Sequence, residues 1–216
     1  MLELPEFGAL RVVACSVVAG RSAQQLEAIL VEAFPETERE PFKTLDRSIN
    51  TGERSLYCAC SDDRVLGLMV LRPIPSRENL LLEYFATDAM VRGRGLGTWM
   101  LRNVMGMLRD DPQTAGIALE VESDEHGPAE ERELRARRIG FYLRNGAQVI
   151  SSVTDYQMPN LAGPGGLPMK LLWIPLKPGA DAPEGASLRQ LVLNIYRFAY
   201  QLEDDDALVR QTLRSL

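Results

Sequence analysis

The chain is short of the residues that build metal and disulfide sites. Its 216 residues include one histidine, His126, and three cysteines, Cys15, Cys58 and Cys60. An odd trio of thiols excludes a disulfide framework. No recognisable ligand spacing joins the thiols to His126, so no tetrahedral zinc site, and no metal, is expected. Cys58 and Cys60 are two apart and would share one face of a strand; the three read as buried, reduced thiols of a reducing cytosol. Basic charge is also scarce: 24 Lys and Arg stand against 30 Asp and Glu, a net charge of −6, with a pI near 5.0. That balance argues against a general grip on nucleic-acid phosphates or an anionic membrane. No run approaches the ~20 apolar residues that cross a bilayer. MLELPEFGALRVV has no basic segment ahead of an apolar core, so it is not read as a signal peptide. The expectation is a soluble cytoplasmic protein with neither nucleic acid nor membrane as partner.

What is present is an ordinary globular mixture, 45% hydrophobic and 25% charged. The length fits one domain, or one with an appendage. Leu10–Ser16, between Gly8 and Gly20, reads as a strand. Ser22 is placed to cap a helix through Leu26, Ile29 and Leu30. Pro35 and Pro41 interrupt it in FPETEREP, and a short helix is expected before Asn50 and Gly52. SLYCAC and VLGLMVLRPI, joined by Ser61-Asp62-Asp63, read as an antiparallel hairpin. NLLLEYFAT (79–87) reads as the next strand, with one carboxylate, Glu83, in an apolar run. A helix bearing Met100, Leu101, Val104, Met107 and Leu108 on its inner face follows, then the strand Ile117–Val121 and a helix from about Ala129 to the terminating Gly146. AQVI and its continuation, then MKLLWIPL, complete the strands. In the tail, Leu188, Leu191, Val192, Ile195 and Tyr196 share a helical stripe, with Phe198 and Tyr200 beyond; it packs on its own domain or forms a dimer contact. The acidic run Glu203–Asp206 reads as a solvated helix start. Strands alternating with helices predict an α/β mixed sheet covered by helices.

The segment VRGRGLGT (91–98) stands between a strand and a helix and carries the chemistry. A helix start offers unpaired N–H groups and partial positive charge, and glycines let a ligand approach the backbone. Arg92 and Arg94 add full charges. A P-loop is excluded because no Gly-Lys-Ser/Thr follows. A dinucleotide fingerprint would need a third glycine at Thr98 and an earlier strand. A glycine-rich turn with solvated arginines is the plain alternative.

Arg92-Gly93-Arg94-Gly95-Leu96-Gly97 resembles the Arg/Gln-x-x-Gly-x-Gly/Ala signature of the GNAT superfamily, the acyl-CoA-dependent N-acyltransferases. LLLEYFATDAMVRGRG is similar to that superfamily's fourth strand and cofactor turn. RRIGFYLRNGAQVI is similar to its Phe-Tyr-x-x-x-Gly segment, one strand further on. The resemblance covers residues 10–176 and implies a mixed, mostly antiparallel sheet of about six to seven strands with splayed central strands, flanked by helices. It sets a GNAT-like domain at 1–176 and a helical extension packed on the same domain at 183–216.

The resemblance implies acetyl-CoA, or another acyl-CoA, as cofactor. The amides of the turn from Gly93 to Thr98, Leu96 included, would hold the pyrophosphate, Arg92 and Arg94 would supply charge and Thr98 a hydroxyl. Splayed strands would leave backbone groups of Phe85, Ala86 and Thr87 for the pantetheine arm, and a strand N–H as oxyanion donor. A neutral amine would then attack the thioester directly. The base that deprotonates it is Glu83, whose pKa an apolar strand would raise; a core carboxylate paired with an arginine is the other reading, and Glu120 and Glu122 are competing bases. Tyr142 matches the superfamily tyrosine that protonates the departing thiolate, or is a packing tyrosine. Arg138, one turn earlier, would lower that phenol's pKa or contact the cofactor. The pattern departs at Arg135, where many members carry asparagine. His126 reads as a solvated loop residue.

Two functions follow. One is an N-acyltransferase, an acetyltransferase first, acting on a small amine or peptide amino group as monomer or homodimer. The other is a non-catalytic acyl-CoA-binding or regulatory module. The acceptor pocket is expected in FPETEREP and PNLAGPGGLP, where Glu36, Glu38 and Glu40 suit a cationic acceptor or simply an exposed corner.

Overall fold

The computed structural model describes residues 9–16, 19–75 and 79–216, so Gly8, expected to bound the first strand, lies outside them. The chain divides into two compact units, residues 1–73 with 82–111, and residues 74–81 with 112–216. Each combines strands, antiparallel wherever their register is defined, with helices in a mixed α/β arrangement. Among the described residues no helix is long and apolar enough to cross a membrane.

The first unit contains β1 (Leu10–Cys15), α1 (Gly20–Ala33), α2 (Phe42–Asn50), β2 (Ser55–Ser61), β3 (Arg64–Ile74) up to Pro73, β4 (Asn79–Thr87) from Leu82, and α3 (Leu96–Arg109). The strands are ordered β1-β2-β3-β4. The hairpin turns as expected at Asp62-Asp63, with Asp62 at φ +48°, a conformation that aspartate tolerates better than most residues. A bulge shifts the β2–β3 register between Ala59 and Cys60. Ser22 does not cap α1; Ala19 precedes the helix, which starts at Gly20 without a side-chain cap. Gly20, at φ +59°, makes the entry turn itself. Leu26, Ile29 and Leu30 of α1 and Leu45 and Ile49 of α2 then cover Leu56, Cys58, Leu68, Val70 and Tyr84 of the strands. Gly67 permits close packing on β4: a Cβ there would lie 3.1 Å from the Ala86 carbonyl and 3.2 Å from Met100 Sδ.

The second unit contains β5 (Gly116–Glu122), α4 (Ala129–Arg144), β6 (Gln148–Val149), β7 (Gln157–Pro159), β8 (Gly166–Pro175), α5 (Gly185–Asn194), a π-helical turn (Ile195–Ala199) and α6 (Ala207–Leu213). β8 is central, and β5, β6 and β7 all pair with it antiparallel. The strand expected to begin at AQVI is two short ones, because the chain turns after β6, where the Val153 N–H donates to the Ile150 carbonyl. Eight strands therefore stand among the described residues, against the six to seven expected. Gly146, at φ +94°, follows α4. The tail stripe is buried: Leu188, Leu191, Val192, Ile195 and Tyr196 join Ala118, Leu171 and Trp173 in one core, while Phe198 is exposed. The acidic run does more than solvate a helix start: the Asp206 carboxylate accepts the Leu208 N–H at 2.8 Å and caps α6.

Candidate functional site

The Asp88 carboxylate accepts the Met90 N–H and caps a 3-10 turn, Ala89–Val91. Gly93 and Gly95 then reverse the chain at φ +74° and +84°, angles that carry a steric cost for any residue with a Cβ. Buried Leu96 anchors the start of α3. Gly95 is its N-cap and supplies no side-chain acceptor, and a Cβ at Gly93 would meet nothing within 4 Å. An uncapped helix start, open space and a backbone free of side chains fit a diphosphate. Gly97 and Thr98 are half-buried in the first turn, and Arg94 is exposed.

Arg92 is paired with a carboxylate. Its guanidinium bonds both oxygens of Glu32 on α1, Nη1 to Oε1 at 2.8 Å, and its Nε donates to the Thr87 carbonyl at 3.2 Å. The charge expected for phosphates is therefore matched by a carboxylate, and one of the backbone groups expected for pantetheine is engaged. Phe85 and Thr87 are half-buried and Ala86 is buried.

The apolar surroundings expected for Glu83 are replaced by two guanidiniums. Its side chain is 8% exposed; Arg54 Nε lies 2.6 Å from Oε2 and Arg72 Nε 2.6 Å from Oε1. Arg54 reaches across to Glu40, with Nη1 donating to Oε2 at 2.9 Å and Nη2 to Oε1 at 3.1 Å, and also donates to Ser48 Oγ. Burial alone would pull the Arg54 pKa down, but Glu40 and Glu83 more than reverse it, holding the guanidinium charged. The Glu40 N–H donates to the Tyr84 hydroxyl, closing the network. Glu40 is thus committed to Arg54 rather than presented to a cationic acceptor. The arginine-paired reading of Glu83 describes its surroundings.

In the second unit Tyr142 is half-buried on α4, edge-on to Phe141 at 5.1 Å. Burial raises its phenol above the ordinary value, with Arg138 pulling the other way; the net effect keeps the proton on at neutral pH. Arg138 bonds Glu122, as does Arg135 at 3.1 Å, and Arg135 also donates to the His126 carbonyl. Glu122 is therefore matched by two arginines. Glu120 receives the hydroxyls of Tyr156 at 2.8 Å and Tyr200 at 2.5 Å. His126 is exposed and borders a cavity of about 330 Å³ with Ser123, Asp155, Tyr156 and Lys170.

Sequence reasoning singled out neither Arg54 nor Arg72, nor Glu32 as the partner of Arg92. A signal existed for Arg72: it is the one charge in the apolar stretch Val65–Ile74, as Glu83 is in β4, and lone opposite charges in successive strands are expected to meet.

The glycine turn leads directly into α3 within a mixed α/β scaffold. The model of the acetyltransferase (GNAT) family matches residues 23–146, more than half of the chain, and the protein belongs to that family. Among solved structures, a GNAT-family protein from Bacteroides thetaiotaomicron is 25% identical with a TM-score of 0.65, over 83% of this chain and 92% of its own. An aminoglycoside 6'-N-acetyltransferase complexed with coenzyme A is 15% identical with a TM-score of 0.59, over 81% and 99%. A spermidine N-acetyltransferase chimera involving Vibrio cholerae is 13% identical with a TM-score of 0.57, over 77% and 95%. No curated protein matches.

Proposed function

We propose that the protein is a soluble, cytoplasmic N-acetyltransferase that transfers an acetyl group from acetyl-CoA to a primary amine of a small molecule or peptide. The observation that carries this reading is the uncapped start of α3 behind Gly93 and Gly95. Bound acetyl-CoA would supply the activated thioester; the amides from Gly93 to Thr98 would hold its diphosphate, with Arg94 adding charge and Arg138 a further contact. Phe85, Ala86 and Thr87 would orient the pantetheine arm. Glu83 would take the proton of the attacking amine, and the Tyr142 hydroxyl would give one to the departing thiolate.

A second reading, an acyl-CoA-binding module without turnover, is favoured by the pairing of Glu83 with two guanidiniums. Calorimetric titration with acetyl-CoA, followed by thiol-release assays over spermidine, an aminoglycoside and peptides with free N-termini, separates the two. Binding with thiol release from any amine supports the enzyme, binding without release from all supports the module, and absence of binding overturns both.

A further inference from the structure

All three cysteines of the chain meet on one face of the β1–β2 pair. In the antiparallel register Val13 faces Cys58, Cys15 faces Leu56 and Arg11 faces Cys60. Directly opposed residues point to the same side, so Cys15, Cys58 and Cys60 project together onto the core beneath α1 and α2. Cys58 is 2% exposed, whereas Cys15 and Cys60 are half-buried and accessible. The Cys15 and Cys58 sulfurs are in thiol–thiol contact at 3.4 Å. Hydrogen bonding to Cys15 and Cys60, with burial, pushes the Cys58 thiol up. The same bond to Cys58 brings the Cys15 thiol down.

We propose that this cluster is an oxidation site, in which Cys15 and Cys58 form a reversible disulfide when the protein meets a hydroperoxide. The Cys15 thiolate attacks one peroxide oxygen and the O–O bond breaks. The other oxygen leaves, takes a proton and becomes an alcohol, or water from hydrogen peroxide; Cys15 is left as a sulfenic acid, oxidised by two electrons. The Cys58 sulfur then attacks the Cys15 sulfur. The S–S bond forms, the S–O bond breaks, and the hydroxyl leaves as water with the Cys58 proton. A disulfide of ~2.05 Å asks the two sulfurs to close by about 1.4 Å. The sulfur contact at 3.4 Å places the bond between Cys15 and Cys58, and Cys60 is left outside it.

The test uses the full chain, reduced, desalted and treated with a small excess of hydrogen peroxide. Free thiols fall from three per chain to one. A non-reducing tryptic digest yields the peptide 12–21 joined to 55–64, and dithiothreitol separates them. Cys60→Ser keeps this cross-link, whereas Cys15→Ser and Cys58→Ala each abolish it. Three thiols surviving peroxide, a bond within 55–64, a bond between two chains, or direct passage to sulfinic acid would each overturn the proposal.

Discussion

Arg54 Nε and Glu83 Oε2 lie 2.6 Å apart, with side chains 3% and 8% exposed. A charge pair this deep is costly to break, because the surviving partner keeps its charge without water. Glu83→Gln takes the carboxylate from Arg72 and leaves Arg54 with Glu40 alone, so urea unfolding is expected to show a loss of about 3–5 kcal/mol. With Glu83 as the proposed base, its loss is also expected to lower kcat on the order of 10²–10⁴-fold. Destabilisation with unchanged thiol release would make Glu83 a structural anion alone.

Gly95 holds φ +84° at the start of α3. Gly95→Ala adds a Cβ in the left-handed region and is expected to lower stability by roughly 1–2 kcal/mol. Gly95→Glu adds a negative charge at the proposed diphosphate site, and calorimetry should find acetyl-CoA binding lost while the circular dichroism spectrum persists. Undiminished affinity in Gly95→Glu would move the cofactor away from this turn.

Tyr142→Phe keeps the ring that packs against Phe141 and removes the hydroxyl. Turnover is expected to fall about 10²-fold or more, with acetyl-CoA affinity nearly unchanged. Equal turnover in the two proteins would leave Tyr142 a packing residue.

The Cys60 thiol is brought down to about 7, chiefly by its hydrogen bond with Cys58, with Arg11 assisting. The thiolate is the reactive form, so a lowered pKa extends reactivity to lower pH. Alkylation of Cys60 by iodoacetamide, followed by peptide mass spectrometry, is expected to rise through about pH 7. Cys58→Ala removes the hydrogen bond, and the midpoint should move up toward the ordinary thiol value.

Trp173 lies across Gly116, where an added Cβ would collide with the indole ring; its indole N–H donates to the Ala180 carbonyl at 2.9 Å. Gly116→Ala must displace the ring and is expected to cost about 1–3 kcal/mol by overpacking, seen as a lower urea midpoint. An unchanged midpoint would show that the ring moves freely.

The two β-rich runs of β2 and β3, the turn at Asp62-Asp63, the glycine turn before α3 and Gly146 after α4 were legible because each is a local matter of composition, spacing or backbone angle. Side-chain partners were not. Glu83 announces itself as a charge in an apolar strand, but Arg54 and Arg72 lie 29 and 11 residues away, and no periodicity links them. Arg92 read as phosphate-facing because Glu32, 60 residues earlier, only becomes its neighbour once α1 packs. The break between β6 and β7 escaped notice because AQVISSVTDYQMP contains neither glycine nor an internal proline to mark it.

The apolar face shared by Ala118, Leu171 and Trp173 is closed by Leu188, Leu191, Val192, Ile195 and Val209, all synthesised after it. While the chain is still emerging from the ribosome, that face is bare, and Glu120 has yet to meet the Tyr200 hydroxyl. Release of the tail from the exit tunnel thus sets the earliest moment at which this half of the molecule completes its core. Until then the nascent chain presents a greasy surface that a chaperone can hold.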